Sequence, residues 1–156
     1  MTHWRAREVK APVKSILVVD DEEGVRETIR EVLVDEGYQV AEASNGRAAM
    51  EAVRRERPRL VLLDIWMPEV DGVGLLREIK QMDPDARVIM ISGHGSIQTA
   101  VTATKLGAFD FIEKPFSLDS LLATVRRALG EAPAADVKAK GRKTKKNRER
   151  RGARKS

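Results

Sequence analysis

Short apolar runs alternate with amphipathic stretches five times along this chain, which restricts it to folds where each strand is followed by a helix. Ile16 to Val19, Leu60 to Leu63 and Val88 to Ile91 are continuous and mostly branched, as expected of strands covered on both faces. Tyr38 to Ala43 and Phe109 to Glu113 alternate instead, which suits sheet edges with one side partly wet. Helical spacing fills the intervals: Val25, Ile29, Val32 and Leu33, stopped by Gly37; Ala48, Ala49, Ala52 and Val53; then Val73, Leu76 and Ile79. A sparse fourth set, Ile97, Ala100, Val101 and Thr104 in a stretch reaching Leu106, should pack least firmly, whereas Leu118, Leu121, Leu122, Val125 and Leu129 make a strong fifth. Right-handed crossovers with the second and fifth strands outermost select an α/β fold. It is a doubly wound five-stranded parallel sheet of flavodoxin-like order 2-1-3-4-5, with helices on both faces.

Such a sheet binds ligands at the carboxyl ends of its strands, beside the point where the strand order reverses. Asp20 and Asp21 close the first run, Asp64 the third and Ser92 the fourth, while Lys114-Pro115 follows the fifth. Three carboxylates, a hydroxyl and an ammonium would then share one pocket. Crowded carboxylates repel and raise one another's pKa unless a hard divalent cation and a lysine neutralise them, which is the chemistry of a metal-assisted phosphoryl acceptor. An isolated Asp-Asp pair more often caps a helix; its combination with Asp64 and Lys114 favours the metal site. Asp71-Gly72 reads as a turn and helix start, and Phe111 by default as an edge-strand packing residue. His94 reads as a solvated loop residue, since His3, the other histidine, lies in the amino-terminal arm.

The net charge of +5 conceals a split. From Glu131 onward eleven basic side chains face three acidic ones, a net of +8, whereas residues 14–130 carry −5. The chain of 156 residues therefore divides into an arm (1–13), one folded domain (14–130) and a basic tail (131–156). In the tail Ala132 to Ala135 reads as a linker, and the remainder has too few apolar residues to fold, so disorder is expected. Its charge suits nucleic acid, an acidic membrane surface or an acidic partner. The absence of cysteine excludes disulfides, thiolate zinc sites and cysteine nucleophiles. No apolar run is long enough to cross a bilayer and Met1 to Arg5 lacks a signal-peptide core, so a soluble cytoplasmic protein is expected.

Four segments, Val18 to Glu22, Leu63 to Gly72, Ile91 to Gly93 and Phe111 to Phe116, together resemble the CheY-like receiver domains of bacterial two-component response regulators, over roughly Lys14 to Gly130. Gly95 to Ala100 and Lys105 to Phe111 are further similar to receivers of the NtrC/NtrX nitrogen-regulation group. The resemblance implies a phosphorelay switch in which Asp64 accepts a phosphoryl group from a sensor histidine kinase or phosphotransfer protein. It implies Mg²⁺ held by Asp21, Asp64 and the backbone carbonyl of Trp66, with Asp20 acting largely through water. Lys114 would pair with a phosphoryl oxygen, Ser92 would donate its hydroxyl, Phe111 would turn inward on phosphorylation, and Pro115 would follow a cis bond. Partner binding or homodimerisation is expected on the Ile97–Leu129 face, with an output protein the sequence does not identify.

Rival chemistries fail on spacing. Gly93-His94-Gly95 is followed by Gln98 where a dinucleotide fingerprint needs glycine, and no Walker loop occurs. A haloacid-dehalogenase-like phosphatase needs an acid/base aspartate at position 66, which is Trp66. A receiver acting only as a docking module remains as the other alternative. The tail shows no helix-turn-helix or ATPase domain, so the expectation is a switch that is not itself a turnover enzyme, signalling by protein contact or relaying phosphate.

Overall fold

The computed structural model describes residues 15–67, 70–93 and 97–131. The amino-terminal arm, His94 and the tail beyond Glu131 lie outside the described residues. Five strands, β1 (Ser15–Val19), β2 (Gln39–Ala43), β3 (Leu60–Asp64), β4 (Arg87–Ser92) and β5 (Asp110–Glu113), form a parallel sheet in the order β2-β1-β3-β4-β5. Five helices alternate with them: α1 (Glu23–Asp35), α2 (Gly46–Glu56), α3 (Gly72–Met82), α4 (Ile97–Lys105) and α5 (Leu118–Ala128). No described helix is long and apolar enough to cross a membrane.

Because successive side chains of a strand point to opposite faces, each central strand feeds two cores. Leu17, Val19, Val61, Leu63, Val88 and Met90 pack on one face with Ala49, Ala52 and Val53 of α2, Leu75, Leu76 and Ile79 of α3 and Ala103 of α4. Ile16, Val18, Leu60, Leu62, Ile89 and Ile91 pack on the other with Ile29 and Leu33 of α1 and Leu121 and Val125 of α5. That division explains the continuous apolar runs: a strand covered on both faces has no wet side. Ala103 is the one buried residue of α4, while Ile97 and Val101 stay exposed, so the sparse fourth pattern does produce the least embedded helix.

Helix ends follow local chemistry. Asn45, Asp71 and Ser117 accept backbone N–H bonds from Ala48, Val73 and Ser120 at the starts of α2, α3 and α5. Gly37, at φ 95°, ends α1, and Tyr38 N–H turns back to the Leu33 carbonyl at 3.1 Å. Tyr38 therefore belongs to the turn, and β2 starts one residue later than the alternating pattern suggests. Glu131, assigned by composition to the tail, is tied to the body: its carboxylate accepts the Tyr38 hydroxyl at 2.9 Å and its N–H bonds the Arg126 carbonyl at 2.8 Å. A two-residue antiparallel ribbon, Trp66–Met67 with Val70–Asp71, was not legible in the sequence.

Gly72 marks the closest approach in this region. A Cβ there would lie 2.6 Å from Ile65 Cα and 2.8 Å from its carbonyl oxygen, both backbone atoms, whereas one on Gly24 would meet nothing within 4 Å. Gly72→Ala is expected to lose about 1–3 kcal/mol by overpacking, and Gly24→Ala to be neutral or to gain up to about 1 kcal/mol. Urea unfolding of both variants measures the contrast, and equal effects would contradict this packing.

Candidate functional site

Strand register assembles the site. Val19 pairs with Leu63, so Asp20 stands level with Asp64 across adjacent strands; Asp64 pairs with Ile91, putting Ser92 one step beyond, and Ser92 pairs with Glu113, putting Lys114 one step further. All four groups reach the carboxyl edge where the order reverses between β1 and β3. Oxygens of Asp20, Asp21 and Asp64 lie within 4.8 Å of one another. Lys114 Nζ stands 3.5 Å from Asp20 Oδ2, 3.7 Å from Asp64 Oδ2 and 3.8 Å from Glu22 Oε1. The cavity they surround, about 500 Å³, is lined by Asp21, Glu22, Asp64, Trp66, Met67, Gly93 and Lys114. A larger groove of about 790 Å³ opens beside it between α1 and the segment from Lys114 to Leu118, but its lining is mainly apolar and includes none of Asp20, Asp21 and Asp64.

Asp20 and Asp64 are only 2% and 3% exposed, so their charges are poorly hydrated, while Asp21 is open to solvent. Burial, then the neighbouring Asp20 carboxylate, pushes the Asp64 carboxyl up from 3.8 to about 6, against the opposing pull of Lys114 and the Trp66 N–H. The Asp-Asp pair is not a helix cap: Glu22 occupies the cap position of α1 and makes no side-chain cap bond. Asp20 Oδ1 instead accepts the Glu22 N–H at 2.9 Å, and Asp64 Oδ1 accepts the Trp66 N–H at 3.3 Å.

Ser92 is fully buried, and its carbonyl accepts the Lys114 N–H at 2.7 Å. The Lys114–Pro115 bond is cis. Phe111 is half-buried against the α2–α4 core, and Trp66 projects to solvent, 59% exposed, at the rim of the site. Two contributors escaped the sequence reading. Glu22 enters through Lys114, and Arg26 donates to the Asp20 backbone carbonyl at 2.8 Å while pairing with Glu42 at 3.0 Å. An arginine one turn into the helix after an acidic strand end was the available signal.

With this geometry in place, comparison with known proteins is decisive. The model of the response regulator receiver domain matches residues 16–126. The chain belongs to the response regulator receiver domain family. It is similar to the nitrogen assimilation regulatory protein NtrX of Azorhizobium caulinodans, 47% identical over 116 residues that make up 73% of this chain and 26% of that protein. It is also 45% identical to the chemotaxis protein CheY of Bacillus subtilis over 73% of this chain and 96% of CheY. The crystal structure of the NtrX receiver domain from Brucella abortus superimposes with a TM-score of 0.71 at 48% identity, covering 75% of this chain and 99% of that one. The chain thus spans about a quarter of the length of the NtrX relative and nearly all of CheY.

Receiver domains bind Mg²⁺ at an acidic pocket, and the residues here fit that ion. Three carboxylates within 4.8 Å offer hard oxygen donors, and the open side at Asp21 leaves room for the waters that Mg²⁺ retains. Without a metal, the ionised Asp64 is a burden. Its carboxyl titrates near 3.8 when unfolded and about 6 when folded, so between those values the native state holds more protons than the unfolded state and stability falls as pH rises. Above about pH 6 the full cost is present. Asp64→Asn is expected to stabilise the metal-free protein at pH 8 by up to about 3 kcal/mol, with the gap closing toward pH 4. Denaturant titration across that range checks it; a gap independent of pH contradicts it.

Proposed function

We propose that this receiver is a phosphorylation-activated response regulator whose acceptor is Asp64, modified by the phosphohistidine of a sensor histidine kinase or a phosphotransfer protein in the cytoplasm. The observation that carries the reading is the convergence of Asp20, Asp21 and Asp64 within 4.8 Å, with Lys114 Nζ 3.7 Å from Asp64 Oδ2. An Asp64 oxygen forms the new P–O bond as the donor's P–N bond breaks, and the imidazole nitrogen leaves with the electron pair. A carboxylate carries no proton to remove, so no general base is needed. Positioning and charge neutralisation remain as the protein's task. Asp21, Asp64 and the Trp66 backbone carbonyl would hold Mg²⁺, with Asp20 acting largely through water; the bound ion supplies charge neutralisation at the phosphoryl oxygens. Lys114 pairs with the phosphoryl group once it is attached, Ser92 donates its hydroxyl, and the Phe111 ring follows them inward. Trp66, where a haloacid-dehalogenase-like phosphatase needs an aspartate, argues against turnover beyond self-dephosphorylation.

Label from a small acyl phosphate should require Mg²⁺ and vanish in Asp64→Asn. Asp21→Ala should weaken Mg²⁺ binding at least tenfold, read by tryptophan fluorescence, while Lys114→Ala leaves Asp64 modifiable but uncouples the response. Metal-independent labelling, or unchanged metal affinity in Asp21→Ala, would sink the assignment.

The responsive face is the one built by α4, β5 and α5, on which α4 leaves the large apolar residues Ile97 and Val101 exposed. We assign to it partner binding or homodimerisation, because α4 has the least packing to resist a shift. Hydrogen exchange should change most between Gly93 and Phe111 on phosphorylation. A change centred instead on residues 138–156 would make the tail the responsive element.

A further inference from the structure

Four carboxylates run along one line of α1: Glu23, Glu27, Glu31 and Asp35, each four residues from the next and each exposed. At 1.5 Å per residue the line is about 18 Å long. Like charges at this spacing oppose the helix. The last turn of α1 also holds no basic residue, although the helix dipole favours a cation there. The helix's own arginines turn aside, since Arg26 and Arg30 both pair with Glu42 of β2 at 3.0 and 2.8 Å. None of the four carboxylates enters a salt bridge among the described residues.

A second observation fixes where a counter-charge can arrive. Tyr38 holds Glu131 at 2.9 Å, Glu131 N–H bonds the Arg126 carbonyl at 2.8 Å, and the Arg126 guanidinium pairs with Glu36, the residue after Asp35, at 2.7 Å. The chain therefore leaves the body at the carboxyl end of the acidic line. Residues 132–137 can span up to about 20 Å before Lys138, and from Lys138 to Lys155 eleven basic side chains face only Glu149. We propose that the basic segment Lys138 to Lys155 docks along the Glu23-Glu27-Glu31-Asp35 face of α1 in the same chain. Its tether gives an effective concentration in the ~mM range, and screening by salt releases it. Docking withholds the tail from polyanions and covers the flank of α1 beside the groove lined by Gly24 and Thr28. The inference does not depend on phosphorylation of Asp64.

The test uses the full chain, the variant Glu23→Gln/Glu27→Gln/Glu31→Gln/Asp35→Asn, and a charge-matched control, Glu51→Gln/Glu78→Gln/Asp85→Asn/Asp119→Asn. Carbodiimide coupling at low ionic strength should join tail lysines to Glu27, Glu31 and Asp35 within monomers, unchanged by tenfold dilution, and should fade in high salt. A fluorescent duplex DNA of arbitrary sequence, used as polyanion probe, should bind the α1 variant at least about threefold more tightly than the control, because the tail is released. Coupling spread over all exposed carboxylates, coupling found only in dimers, or equal DNA affinity of the two variants would overturn the docking.

Discussion

Two carboxylates buried side by side, Asp20 and Asp64, are the constraint around which the carboxyl edge is organised. Both are poorly hydrated and Asp20 raises the cost of ionising Asp64, so positive charge and N–H groups gather around them beside the exposed Asp21 carboxylate. Lys114 stands between them, the Glu22 and Trp66 backbone N–H groups each donate to one of them, and Arg26 ties down the Asp20 carbonyl. This compensation is incomplete, since the Asp64 carboxyl still sits well above its ordinary range. A site left short of positive charge is one that gains from a cation, and a buried conflict of this kind marks function more often than stability.

The conflict is imposed by the sheet. Parallel strands with cores on both faces lock their register, because a slip of one residue would exchange the two faces of every strand. Once Val19 is paired with Leu63 and Asp64 with Ile91, the first polar residue after each run falls in the same band. The site is therefore a by-product of burying Leu17, Val18, Leu62 and Leu63, and its precision is that of the core rather than of a loop.

That dependence explains what was legible in the sequence. The apolar runs carried strand order and face, and the polar residues that end them carried Asp20, Asp21, Asp64, Ser92 and Lys114, because both signals are local in the chain and are joined only by a topology with few alternatives. Arg26 and Glu22 were legible only as an acidic strand end followed by an arginine one turn into the helix, because a charged residue at or near a helix start looks solvated whatever its rotamer reaches. The Trp66–Met67 ribbon was hidden for a different reason: two residues are too few to show a period, and its partner Val70–Asp71 is equally short. Glu131 stands at the boundary drawn by composition, which averages over a window and cannot register its bonds to the Tyr38 hydroxyl and the Arg126 carbonyl.

The packing around the site is unequal, and that inequality would give the proposed charge change at Asp64 a direction. On one side Gly72 sits so close to the Ile65 backbone that α3, which also buries Leu75, Leu76 and Ile79, has no room to follow a displaced strand end. On the other side Ser92 and Lys114 are joined through a 2.7 Å backbone hydrogen bond, so a pull on either is shared by β4 and β5. Beyond them lies α4, which buries Ala103 and leaves Ile97 85% exposed. Strain at a packed boundary moves whichever element has fewer buried contacts to lose. A displacement driven by added charge at Asp64, as proposed, would therefore run away from α3 and toward the edge formed by β5 and α4.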